Sequence, residues 1–186
     1  LNRYINHYFY PSFMATIGVD YYKNELIKDN TKYKFTIWDT SGQEKFNSII
    51  TSYYRDTDAV IFVFDITNYN SFLNIQNWIG KVELYSNNKI MKILVGNKND
   101  LDDNRVDKKI ITKFCKNNNI EYLETSAKNN INIDEIFLKL VNNIDNNTEN
   151  NSGIKIHNTF SLNETKNSRD DLINLNKKKY KCCNMM

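Results

Sequence analysis

Residues 59–65, Ala-Val-Ile-Phe-Val-Phe-Asp, form an unbroken apolar run of β-branched and aromatic side chains that closes on an acid. A half-exposed strand would alternate with polar residues. This one does not, so it reads as a strand buried on both faces, which is the habit of parallel sheets. Residues 90–96 repeat the signature, and residues 120–123 give a shorter copy. Between the runs lie segments with helical spacing. The first, 71–85, puts Phe72, Ile75, Trp78, Ile79 and Val82 on one side. The others are 107–116 and 134–144, the last with Ile136, Phe137, Leu140 and Val141 on one side. Residues 19–27 and 33–38 suit two further strands joined by the polar turn 28–32. Strands alternating with helices predict an α/β fold, doubly wound, with a mostly parallel sheet and helices on both faces.

A chain of 186 residues, 40% apolar, can bury one core. The net charge of +3 is too weak to argue for a nucleic-acid partner unless it clusters. It clusters at Lys177-Lys178-Lys179-Tyr180-Lys181. No apolar run is long enough to span a bilayer as a helix, and no secretory signal is present. Three cysteines make no disulfide framework; Cys115, within a helical pattern, reads as a small core residue. Past residue 145 the chain turns polar, opening with Asn146-Asn147-Thr148-Glu149-Asn150-Asn151. Two regions follow: residues 1–145 as the folded domain and residues 146–186 as a disordered tether with a short helix around 170–175.

Three strings carry the chemistry. In Trp38-Asp39-Thr40-Ser41-Gly42-Gln43-Glu44, the acid at a strand end can hold Mg²⁺ through water. Gly42 lets a backbone N–H reach a γ-phosphate, and the Gln43 amide can orient an attacking water. In Asn97-Lys98-Asn99-Asp100, after a buried strand, the Asp100 carboxylate can accept two hydrogen bonds from N1 and the exocyclic amine of guanine. Adenine lacks that donor pair, so it would leave the carboxylate unsatisfied. Lys98 would lie along base and ribose, and Asn97 would tie neighbouring loops together. Ser126-Ala127-Lys128 ends another strand, as a second base-contacting loop should. Thr16, just before a strand, is the candidate switch threonine, with its hydroxyl on Mg²⁺ and its amide on the γ-phosphate.

With Ile17-Gly18-Val19-Asp20-Tyr21, residues 38–46, residues 53–59 and Val63-Phe64-Asp65-Ile66-Thr67, these strings resemble a small GTPase of the Rab type, within the Ras superfamily. The resemblance runs from Leu1 to about residue 144. It implies binding of GTP and GDP with Mg²⁺, slow hydrolysis of GTP to GDP and phosphate, and regulation of vesicle-mediated protein transport. It further implies an exchange factor, a GTPase-activating protein, effectors, an escort protein and a dissociation inhibitor. The expected form is a monomer on the cytoplasmic face of an endomembrane (Golgi, endosome or secretory vesicle), cycling with the cytosol. Cys182 and Cys183, three residues from the end and beside the lysines, resemble a double-cysteine prenylation site. Two lipid chains anchor stably, and the lysines would add roughly 1 kcal/mol each on anionic lipid.

Ser41 stands where the family usually has Ala, Tyr21 where it has Phe, and Asp56 where Gly is frequent. The larger departure is that no G-x-x-x-x-G-K-[ST] occurs; the one Gly-Lys pair, Gly80-Lys81, lies in a helical pattern. The reading is therefore of an N-terminally shortened copy that lacks the phosphate loop and the first strand and is by itself inactive and poorly folded. The gap would lie between strands 59–65 and 90–96 or their neighbours, exposing apolar edges. The rival reading is a pseudo-GTPase interaction module without nucleotide. Gln43 and the intact 97–100 string argue against it.

Overall fold

A computed structural model describes residues 1–12, 15–86, 90–103, 105–150 and 176–185. The elements in chain order are α1 (Asn2–Asn6), β1 (Val19–Lys28), β2 (Thr31–Thr40), α2 (Asn47–Tyr54), β3 (Ala59–Asp65) and α3 (Tyr69–Tyr85). Then come β4 (Met91–Asn97), α4 (Lys108–Asn118), β5 (Glu121–Glu124), α5 (Ile133–Asn150) and β6 (Asn176–Met185). They build one six-stranded sheet in the order β1-β2-β6-β3-β4-β5. Only β1 runs antiparallel to its neighbour, so the sheet is mostly parallel, as the apolar runs predict.

Side-chain alternation along the strands distributes the core to two faces. Val60, Phe62 and Phe64 of β3 and Leu94 of β4 pack with Ile50 and Tyr54 of α2, with the apolar stripe of α3, and with Ile111 of α4. Ala59 and Ile61 point the other way with Ile93 and Val95, against Tyr4 of α1 and Phe137, Leu140 and Val141 of α5. Local chemistry places the helix starts: Asn68 accepts the Ser71 N–H at 3.1 Å, and Asp107 accepts the Lys109 N–H at 2.7 Å. The β1–β2 turn is tighter than residues 28–32. Lys28 pairs with Thr31, and Asp29 and Asn30 take φ of 48° and 58°, the two left-handed positions of a two-residue hairpin.

At its centre the sheet decides between the alternatives that the sequence reading left open. β3 and β4 pair directly along their whole length, so no gap lies between them. The central position is between β2 and β3, and β6 fills it. The expected boundary at residue 145 falls inside α5, and the expected tether ends in a strand. The physical reason is the edge problem: β2 and β3 each present a row of backbone donors and acceptors beside an apolar surface, and an extended segment with Tyr180 and Cys182 on its core side satisfies both. The short helix expected around 170–175 lies outside the described residues.

Candidate functional site

The parallel strands β2, β3, β4 and β5 all end at one edge of the sheet, the crevice where open α/β sheets bind ligands. β4 delivers Asn97 there as its last residue. Its side-chain Oδ1 accepts the Ala127 N–H at 3.1 Å and the Thr125 hydroxyl at 3.3 Å. Backbone bonds reinforce the joint: Thr125 N–H to Gly96 O at 2.8 Å, and Asn99 N–H to Thr125 O at 2.9 Å. Asn97 thus ties the β4 and β5 loops together. Lys98 turns the chain off the strand with a left-handed φ of 69°.

Asp100 sits beneath this joint with its side chain only 9% exposed. Ser126, wholly buried, donates its hydroxyl to Asp100 Oδ1 at 2.5 Å, and the Lys128 ammonium stands 4.0 Å from Oδ2. The Ser126 oxygen in turn accepts the Asn129 N–H at 3.0 Å, and a backbone pair between Ser126 and Ile131 closes the loop. So Asn97, Lys98, Asp100, Ser126, Ala127 and Lys128 come together as one assembly. A carboxylate pinned on one oxygen and held by a neighbouring cation keeps acceptor capacity for a planar ligand with adjacent N–H donors.

At the other end of the edge, Asp39, Thr40 and Ser41 close β2 and are 6%, 1% and 3% exposed. The Ser41 N–H donates to Gly18 O at 2.9 Å, drawing the half-buried Thr16 loop onto the Asp39–Gly42 turn. The Ser41 hydroxyl accepts the Gln43 N–H at 3.2 Å, which gives that residue a role an alanine would lack. Gly42 is exposed and Gln43 half-buried. Among the described residues no three His, Cys, Asp or Glu side chains gather as a metal cluster. A hard cation here would draw on Asp39 and Thr16, and otherwise on oxygens of the ligand and water.

Residues 1–146 match the sequence model described as the Ras family. The chain belongs to the Ras family. It is 44% identical over 145 residues to "Ras-related protein Rab-1C" of Dictyostelium discoideum, covering 77% of this chain and 72% of that protein. It is 40% identical over 141 residues to "GTP-binding protein YPTM1" of Zea mays, covering 75% and 68%. To "Ras-related protein Rab-8B" of Homo sapiens it is 40% identical over 145 residues, covering 77% and 70%. It is a small GTPase of the Rab type.

Three residues of this Ras-family site were not picked out by sequence reasoning. Asp65, at the end of β3, pairs with Lys98 at 2.7 Å and accepts the Thr67 N–H at 2.9 Å and hydroxyl at 2.7 Å. Burial pushes its carboxyl up, but the bonds from Lys98 and Thr67 outweigh this and hold it below the ordinary value. Arg3 of α1 donates to Ala127 O at 2.7 Å and Lys128 O at 2.8 Å, bracing the loop after β5 from a distant part of the chain. Arg105 donates to Asn99 Oδ1 at 3.1 Å and Asn99 O at 2.9 Å. The acid closing the 59–65 run was a visible signal for Asp65. Nothing local marked the arginines.

The expected lipid acceptors lie elsewhere. Cys182 is 1% exposed, paired in register with Ile37 on one side and Ala59 on the other. In this form its thiol is out of reach of any reagent. Cys183 follows it in β6, opposite Trp38 and Val60.

Proposed function

We propose that this Rab-type chain is a guanine-nucleotide switch that governs vesicle traffic from the cytoplasmic face of an endomembrane, with Cys182 and Cys183 as lipid acceptors. The observation that carries the nucleotide half is the Asn97–Asp100–Ser126–Ala127 network: a nearly buried carboxylate held in a fixed orientation at the carboxyl edge of the sheet. Asp100 accepts from guanine N1 and its exocyclic amine, while Lys98, Ala127 and Lys128 line the base. Thr16 and Asp39 attend Mg²⁺, which when bound neutralises phosphate charge. Gly42 offers its N–H to the γ-phosphate, and Gln43 orients the water. Among the described residues no helix is long and apolar enough to cross a membrane, so lipid and the lysine run would provide attachment.

The test is competition of GTP, GDP, ATP and xanthosine triphosphate for a fluorescent guanine nucleotide on the chain extended ahead of Leu1 by the first strand and phosphate loop that the family resemblance implies. Guanine should win over adenine by at least about 100-fold, because the adenine complex leaves a buried carboxylate unpaired. Asp100→Asn should move preference toward xanthine, since the amide presents a donor where the carboxylate accepted. Equal affinity for guanine and adenine nucleotides would overturn the reading. Gln43→Leu should slow turnover without changing base preference.

A further inference from the structure

α4 carries charge of one sign on one side. Lys108, Lys109, Lys113 and Lys116 are all exposed, and helical spacing gathers them with Thr112 on a single face. No acid lies in this helix, and Asp107 ahead of it is engaged as the cap. Among the described residues, Lys108 alone of the four lysines forms an ion pair, with Glu124 at 3.2 Å. The lysines, with Thr112 and Asn117, border a shallow depression of about 430 Å³.

Beside this face runs an apolar lane. Phe72 of α3 meets Phe114 of α4 edge-on, with centroids 5.1 Å apart, which joins the two helices. Tyr69 stands one turn before Phe72, with centroids 6.2 Å apart, and remains 48% exposed. Ile110 stands one turn before Phe114 and is 42% exposed, and Leu73, next to Phe72, is 51% exposed. Large apolar groups left in water beside one another mark a contact surface. The one acid of α3, Glu83, is already paired with Lys92.

We propose that the α3–α4 face docks an acidic amphipathic helix of a partner protein, with its apolar stripe on Tyr69, Leu73 and Ile110 and its carboxylates on Lys109, Lys113 and Lys116. Charge decides the occupant. A second copy would set lysines against lysines across a symmetric contact. A lipid surface takes up apolar groups that are flanked by cations on both sides. Here the apolar lane lies to one side of the lysines, which suits a partner that itself has two lanes. The face shares no residue with the proposed nucleotide site, so the inference does not rest on that reading.

The experiment is titration of the extended chain described above with a fluorescent helical peptide bearing leucines along one face and glutamates along its flank. Amide shifts on binding should fall on α3 and α4. Ile110→Asp, and separately Lys109→Glu with Lys113→Glu, should each weaken binding by about tenfold or more. The lysine effect should shrink as salt is raised, and the Ile110 effect should not. A peptide with its glutamates changed to lysines should bind the Lys109→Glu, Lys113→Glu variant better than the parent protein. Regained binding cannot come from a damaged fold, so this arm stands even if a variant is less stable. Equal weakening by Lys23→Glu, on β1, would mean unspecific charge attraction and overturn the proposal. So would undiminished binding of a peptide whose leucines are changed to serine. Binding to phosphatidylserine vesicles that needs the same residues, without peptide binding, would assign the face to lipid and overturn the partner. A dimer in sedimentation that Ile110→Asp abolishes would assign it to a second copy and do the same.

Discussion

The two ends of the carboxyl edge of the sheet are built on different principles. The end where β4 and β5 finish, the proposed base-reading end, is closed on itself by Asn97, Ser126, Thr125 and the backbone around Gly96. Its core lies within two strands and the loops that follow them, with Arg3 of α1 and Asp65 of β3 bracing it from outside. The β2 end, with Thr16, Asp39, Gly42 and Gln43, rests on a strand whose inner neighbour is β6, drawn from the far end of the chain. A site made from adjacent loops inherits its geometry from short-range hydrogen bonds. A site whose supporting strand is supplied from elsewhere inherits whatever mobility that strand has.

The largest break in this comparison should come from Phe35→Ala. Phe35 is 2% exposed and packs on Phe137 and Tyr180, so truncation removes the floor on which β6 sits. A loss of about 3–5 kcal/mol in chemical denaturation is expected, together with faster amide exchange in β2 ahead of β4. Equal acceleration in both strands would show that the two halves are one cooperative unit. Asn97→Ala should cost about 1–3 kcal/mol for each of the two donors it leaves without an acceptor, read by chemical denaturation, and should weaken guanine binding. Gly96→Ala acts on the same end by crowding: a Cβ there would stand 2.5 Å from the Tyr122 hydroxyl and 2.6 Å from Ile66 Cγ2. Thermal melting should register about 1–3 kcal/mol of overpacking.

The smallest effect is a pH dependence. The Asp65 carboxyl is held below its ordinary 3.8 by Lys98 and Thr67 despite burial. A depressed folded-state value means the contribution is complete above the unfolded value and is lost as pH falls through the folded one. Lys98→Ala should therefore lower stability by less than about 1 kcal/mol near neutral pH, given that Lys98 is half exposed, and the difference should shrink in acid. A difference that grew in acid would remove Asp65 as its source.

Much of this was written in the sequence. The 59–65 and 90–96 runs specified buried parallel strands because period and composition are local properties, and the stripes at 71–85 and 134–144 specified the helices that cover them. Asp100, Asn97 and Ser126 were legible because short strings at strand ends place their own side chains; the hydrogen bonds between the two loops came with the parallel register. Arg3 was not legible, since its two acceptors lie more than a hundred residues away and no local pattern records a contact of that span. The seat of residues 176–185 was hidden for a deeper reason. On composition alone a lysine-rich polar segment has too little apolar surface to order itself. What ordered it is the pair of open strand edges at the middle of the sheet, and those exist only once β2 and β3 have been folded into place.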